Sequence, residues 1–227
     1  MTIHIGLIGS QGKMGKRLVS CILKDPELSL AWQLGSDSCR DFLSKADVII
    51  DFSTPYALQN NLTLAEKNNT PIVIGTTGLQ KQEHENLEAS ALKIPVFWAP
   101  NFSLGIAALI HAIETLSPLL KKKFTPSISE THHVHKKDSP SGSALALALA
   151  TQTGYSILPS IESIRLNEIV GEHTVIFSSE DEHLTLKHES LSRDVFALGA
   201  LQAVKFLINK KPKLYSMKDL LLSCFSH

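Results

Sequence analysis

The passage over residues 3–22 restricts the fold of this chain more than any other. Residues 3–8 form an apolar run that stops at Gly9-Ser10-Gln11-Gly12-Lys13-Met14-Gly15, and beyond it Met14, Leu18, Cys21 and Ile22 recur at helical spacing up to Asp25-Pro26. Strand, glycine turn and helix in that order open a β-α unit. Glycines let the main chain approach a ligand closely, while the first N–H groups of the helix point at whatever lies over the turn, an arrangement suited to a pyrophosphate. The spacing is GxxGxxG rather than GxGxxG. Packing alone can also demand glycines between a strand and a helix, so the position of this turn at the head of a repeating pattern carries the reading.

That pattern continues. Strands are expected over 28–34, 46–51, 71–74 and 96–99, separated by helical stretches such as 56–68 and 80–92. Alternation of this kind means an α/β fold, a Rossmann-like dinucleotide-binding domain around a parallel, doubly wound sheet. Three strands end in Asp51-Phe52-Ser53, Gly75-Thr76-Thr77-Gly78 and Ala99-Pro100-Asn101-Phe102-Ser103. Ligands of such sheets bind at the carboxyl ends of the strands, so these turns are expected to line one crevice with the glycine loop. An acidic residue for the adenosine ribose normally ends the second strand. Here that neighbourhood holds only Asp37, with Arg40 shortly after, and the preference between NAD and NADP stays open.

The second half reads differently. Ile106, Leu109, Ile110, Ile113, Leu116 and Leu120 mark an amphipathic helix, within which His111 and Glu114 read as ordinary helix residues. A strand over 127–131 leads into ETHHVHKKDSPSGSALALALA at residues 130–150, and strands over 161–166, 173–178 and 183–188 follow in succession. This is an α+β block, expected to span 104–191 as a substrate-binding and oligomerisation domain, with 1–103 and 192–227 forming the dinucleotide-binding domain. A helix over 193–207 returns to the first pattern, and 217–222 closes the chain. Ser139-Pro140-Ser141-Gly142-Ser143 turns into a run of Ala and Leu, which is a helix start with a side-chain cap. Preceded by histidines and lysines, that start is suited to a carboxylate or phosphate.

Composition excludes several classes. The 227 residues carry 22 Lys+Arg against 22 Asp+Glu, so no general field draws nucleic acid or an acidic membrane, and any anion site must be local. Cys21, Cys39 and Cys224 lie far apart with no CxxC pair, against a disulfide framework or a zinc ribbon. The apolar start meets glycines within nine residues and no apolar run reaches spanning length, so the chain is read as cytoplasmic, with no membrane partner.

The motifs together resemble the dihydrodipicolinate reductase family, also called 4-hydroxy-tetrahydrodipicolinate reductase, of the diaminopimelate route to lysine. The resemblance covers nearly the whole chain. It rests on GSQGKMG at 9–15, DFS at 51–53, GTTG at 75–78, APNFSLG at 99–105, ETHHVHKKDSPSGSA at 130–144, IVGEHTVIF at 169–177, and Arg193 with FALGA at 196–200. HHxHKxDxPSG is the specific element among them. By position the resemblance implies His132 as catalytic acid/base and Lys136 as proton donor, with His133, Ser141, Gly142 and Ser143 holding the substrate. It implies cofactor contacts, to NADH or NADPH, at Gly9, Ser10, Gln11, Gly12, Lys13 and Met14, at Gly75, Thr76 and Thr77, and at Ala99, Pro100, Asn101 and Phe102. It further implies a homotetramer assembled through the sheet of the second domain; no metal is expected, since the lysines beside His132, His133 and His135 disfavour a cation and no carboxylate or thiol cluster completes a site. The family's usual Thr after PSG is Ser143 here, which keeps the hydroxyl.

The implied chemistry agrees with the residues. A cyclic imine bearing two carboxylates takes a hydride from the nicotinamide, and the negative charge left on its conjugated system must be protonated. A loop rich in His and Lys meets that need, with Lys136 among other cations expected to be the better acid for it. His135 and Lys137 acquire no role and read as a solvated edge. Three other readings stand beside this one: a different nicotinamide-dependent reductase of a small dicarboxylate imine; a metal-binding protein using His132, His133 and His135; and a dinucleotide sensor without turnover.

Overall fold

The computed structural model describes residues 2–35 and 45–223; Asp37, Arg40, Cys39 and Cys224 lie outside the described residues. The elements run β1 (Ile3–Ile8), α1 (Lys13–Ile22), β2 (Leu28–Leu34), β3 (Val48–Asp51), α2 (Pro55–Lys67), β4 (Ile72–Ile74), α3 (Lys81–Ala91) and β5 (Pro95–Trp98). Next come α4 (Leu104–Leu120), β6 (Thr125–His132), α5 (Gly142–Thr151), β7 (Ser160–Arg165), β8 (Glu172–Ser178) and β9 (His183–Glu189). The chain closes with α6 (Asp194–Leu207), β10 (Lys213–Tyr215) and α7 (Met217–Ser223). Two compact units result, Met1–Phe102 with Asp194–His227, and Ser103–Arg193.

The first unit is a parallel sheet of order β10-β5-β4-β3-β1-β2. β3 and β4 are buried along their whole length, which is why they read as unbroken apolar runs rather than as alternation. Leu58, Leu62 and Ala65 of α2 and Leu87 and Ala91 of α3 close over Ile49, Ile72, Ile74 and Val96. From β1 the connections step outward to β2 on one side, while β3, β4 and β5 proceed on the other, so the strand order reverses beside β1. That reversal puts a crevice at the carboxyl ends of β1 and β3. The expected strands and helices of this half are present. β10 was not expected, since three residues after a Pro carry no periodicity, and its place beside β5 is set by the pairing of Lys213 with Pro95 and Tyr215 with Phe97.

In the second unit a sheet of order β7-β6-β8-β9 combines a parallel β6/β7 pair with antiparallel β6/β8 and β8/β9 pairs. Its buried face packs on α4 and α5 through Leu109, Ile113, Leu147, Ala148 and Ala150 against Ile128, Val175 and Phe177. Strict alternation along β6 and β8, buried then half-buried, is the signature of a sheet covered on one side. No helix among the described residues is long and apolar enough to cross a membrane.

Candidate active site

In the first unit the carboxyl ends of β1, β3 and β4 meet through residues that leave no room for side chains. Gly9 has φ +84°, and a Cβ there would stand 2.5 Å from the Phe52 carbonyl oxygen. At Gly15 a Cβ would reach within 2.1 Å of the Gly9 carbonyl, and at Gly75 one would enter the Phe52 ring at 2.2 Å. Phe52 is therefore the wall against which two glycine turns pack. Its own turn is stiffened by Asp51, fully buried, whose Oδ1 accepts from the Ser53 N–H at 2.9 Å and whose Oδ2 accepts from Asn61 Nδ2 at 2.8 Å. The start of α1 has no side-chain cap and no acidic residue in its first turn. Bare N–H groups on a backbone-only cradle fit a nucleotide phosphate. Gln11, Gly12 and Lys13 are exposed around it, Gly9 and Met14 are half-buried, and Ser10 is turned inward, its hydroxyl donating to the Leu34 carbonyl at 3.1 Å. Thr76 is buried and Thr77 exposed; Ala99 and Phe102 are buried, Asn101 half-buried and Pro100 exposed.

The second unit builds its site from side chains. Residues directly opposite one another on neighbouring strands share a face, so β6 and its neighbours present successive rows. Ile161, Ile128, Val175 and Leu186 form an apolar row; Ser163, Glu130, His173 and His188 form the next; Arg165 and His132 follow. The face thus passes from core to charged cluster within four residues of β6. Glu130 is central to it. Its side chain is 0% exposed, its Oε1 accepts from the Ser141 N–H at 3.0 Å and from Arg165 Nη2 at 3.1 Å, and its Oε2 lies 3.0 Å from His132 Nδ1 and 4.0 Å from His173 Nε2. Burial alone would raise this carboxyl, yet contacts from Ser141, Ser163 and Arg165 outweigh it and hold the pKa below the ordinary value, so Glu130 is ionised.

The histidines are lowered too, but with them burial prevails and favours the neutral ring. His132 is pushed below its ordinary value by burial, which the attraction of Glu130 only partly offsets. His173, 3% exposed, is pushed down to about 4 by burial and then by His132, whose ring stands edge-on to it with centroids 5.0 Å apart. His188 is lowered by burial as well, with Nε2 3.1 Å from the Ser103 hydroxyl. Gly171 leaves space for the first of these rings, since a Cβ there would come within 3.0 Å of His132 Nε2. Lys136 extends from the loop after β6, its Nζ 2.8 Å from Asp138 Oδ2. The expectation of an ammonium among cations is thus corrected: a carboxylate is its close partner.

Ser141 caps α5, its hydroxyl accepting from the Ala144 N–H at 3.1 Å. At 1% exposure, with its N–H on Glu130, it lies beneath the helix start rather than facing out of it. Gly142 is exposed, with open space where a Cβ would be, and Ser143 is half-buried. His133 is half-buried and lowered by burial and then by Arg193. His135 and Lys137 are exposed. His132, His133 and His135 do not converge as a metal site would require; instead Glu130, His132 and His173 offer ligand atoms within 4.8 Å of one another. Arg165 already neutralises that carboxylate, so the cluster is charge-compensated without a cation. Sequence reasoning missed Glu130, Arg165 and His173. The signal for them was a pair of strands, 127–131 and 173–178, whose register places Glu130 opposite His173.

Two family profiles match the chain: one described as dihydrodipicolinate reductase, N-terminus, over residues 3–102, and one described as dihydrodipicolinate reductase, C-terminus, over residues 105–221. The 4-hydroxy-tetrahydrodipicolinate reductase of Rickettsia rickettsii is 39% identical, with 96% of this chain and 98% of that protein covered. That of Thermosipho africanus is 39% identical over 98% of this chain and 100% of its own length. Among solved structures, a dipicolinate-bound dihydrodipicolinate reductase from Paenisporosarcina sp. TG-14 shares the fold with a TM-score of 0.80 at 22% identity, covering 96% of this chain and 99% of that one. Matched along both halves by one family's profiles, and over nearly the full length of both chains by relatives 39% identical, the chain belongs to the dihydrodipicolinate reductase family.

Proposed function

We propose that this protein reduces 4-hydroxy-tetrahydrodipicolinate to tetrahydrodipicolinate with NADH or NADPH, in the diaminopimelate route to lysine. The observation that carries the reading is the cluster around Glu130, where an acid/base histidine and the start of α5 stand against one buried carboxylate, with Lys136 on the adjoining loop, in a chain of this family. The first unit holds the cofactor: Gly9 to Met14 would take the pyrophosphate on backbone N–H groups, and Gly75 to Thr77 and Ala99 to Phe102 would line the crevice beside it. A reduced nicotinamide, when bound, supplies the hydride. The second unit holds the substrate. N–H groups of Gly142 and Ser143 at the start of α5 grip one carboxylate, and His133 contributes to the same anionic ligand.

Protonation falls to the loop after β6. Because burial keeps His132 below its ordinary pKa, its imidazole is largely neutral near pH 7 and serves to accept and pass on a proton. Lys136 carries the charge that offsets the developing anion and gives the proton to it. The enzyme works in the cytoplasm as a homotetramer, assembled through the half-buried face of the second sheet on which Ser127, Ser129, Thr174 and Ile176 lie. The test is a coupled assay: purified protein oxidises NADH or NADPH only when supplied with the product of dihydrodipicolinate synthase. Failure with both cofactors sinks the reading. Comparison of the two rates settles the preference, and sedimentation velocity checks the tetramer.

A further inference from the structure

Glu130 is given no step above, yet it contacts Ser141 and Arg165 and stands beside His132 and His173. We propose that Glu130 is a positioning residue for the reduction, holding the His132 ring in the Nδ1–H form so that Nε2 is the atom that exchanges a proton with substrate. The proposal rests on the reading of His132 as the acid/base group.

Four observations support it. Oε2 of Glu130 and Nδ1 of His132 are both buried and stand 3.0 Å apart, off the line of a hydrogen bond in this structure. An ionised carboxylate oxygen at that distance repels a ring lone pair and attracts a ring N–H, which favours the proton on Nδ1. The carboxylate cannot swing away, because its other oxygen is held by the Ser141 N–H at 3.0 Å and by Arg165 at 3.1 Å. On the far side of the ring Gly171 presents no side chain: a Cβ there would lie 3.0 Å from Nε2 and would crowd it. Finally, the same carboxylate fixes the first residue of the α5 turn, so one group sets both the acid/base ring and the helix start that takes the substrate anion.

A carboxylate behind an imidazole selects the tautomer and steadies the ring when it becomes charged. Arg165 compensates Glu130, which leaves it an orienting group rather than a proton acceptor. Besides Glu130, the charged groups that act on His132 are Lys136 and Asp138 from the loop after β6 and Arg165 from β7, and the His173 ring of β8 stands edge-on against it.

The decisive measurement is the ring-nitrogen spectrum of His132 in the full chain by NMR. Neutral His132 is expected with its proton on Nδ1; a proton on Nε2 overturns the proposal with no variant needed. Glu130→Gln, which keeps the shape, should lower the His132 titration further and reduce kcat at least tenfold with KM changed less than threefold. In a His132→Asn background the same change should alter kcat by less than twofold. An equal loss in both backgrounds means that Glu130 acts through the fold alone, and the proposal fails. Wild-type kcat and an unmoved titration in Glu130→Gln, with His132→Asn crippled, overturn it while leaving the reading of His132 standing. Full turnover by His132→Asn removes that reading and the proposal with it. Stoichiometric zinc in the purified protein, lost in Glu130→Gln, would instead make Glu130 a ligand and also overturn it.

Discussion

On the proposed reading the two units hold an anion by opposite means. In the first, the cradle is made by what is missing: Gly9, Gly15 and Gly75 let backbone pack on backbone and on Phe52, and N–H groups at the start of α1 are left bare. In the second, the helix start is accompanied by charged and titratable side chains, with Glu130, His132 and His173 all buried and Arg165 beside them. A phosphate-bearing cofactor can be recognised by geometry alone, because peptide dipoles suit any phosphate. Delivering a proton to one particular substrate needs groups of chosen pKa, and those must be buried together. On the proposed reading, added atoms should harm the first site most and charge changes the second.

The largest expected effect lies in the second unit. Lys136→Ala should reduce kcat about a hundredfold or more while the dissociation constant for reduced cofactor, followed by its fluorescence, stays within about twofold. Equal losses in both would dissolve the separation between the two sites. Next comes acid sensitivity. His173 binds its proton only near pH 4 when folded but near about 6.5 when unfolded, so the unfolded state carries more protons in between and stability falls as pH falls. The contribution is full above pH about 6.5 and is lost toward pH 4, on the order of 3 kcal/mol. Glu130, held below its ordinary value, adds a further loss at more acid pH as it is protonated. Hydrogen exchange at pH 5 should accordingly show β8 and β9 losing protection before β3 and β4, and His173→Phe should shrink the difference.

Gly15→Ala tests the first unit by the opposite logic. In the interior of an exposed helix the change stabilises by up to about 1 kcal/mol, but here the new Cβ would stand 2.1 Å from the Gly9 carbonyl. A loss of about 1–3 kcal/mol is expected, with weaker cofactor binding and an unchanged pH profile. A more stable protein would show that the loop is slack. The smallest effect belongs to Asp138→Asn, since this partner of Lys136 is 56% exposed and such pairs contribute less than about 1 kcal/mol. Turnover should change by under about threefold. A loss matching that of Lys136→Ala would put Asp138 among the groups the reaction needs.

The same contrast explains what could be read before the fold was known. Strand, glycine turn and helix over residues 3–22 are local, and each is specified by residues within a few positions of one another, so the expected elements of the first half were legible. The helix start at Ser141 was legible for the same reason, and so was the exposure of His135 and Lys137. β10 was not, because three residues hold no period and an edge strand takes its identity from the neighbour it pairs with.

By itself the sequence determined the α/β pattern of the first half, the change to successive strands in the second, and a resemblance strong enough to name a family. Only the tertiary structure decided that Ser141 lies under the site, that Lys136 has a carboxylate partner, and that Glu130, Arg165 and His173 belong with His132. The reason is sequence distance. Glu130 and His173 are brought face to face by strand register across 43 positions, and the low pKa of His173 comes from burial that no stretch of the chain can specify alone.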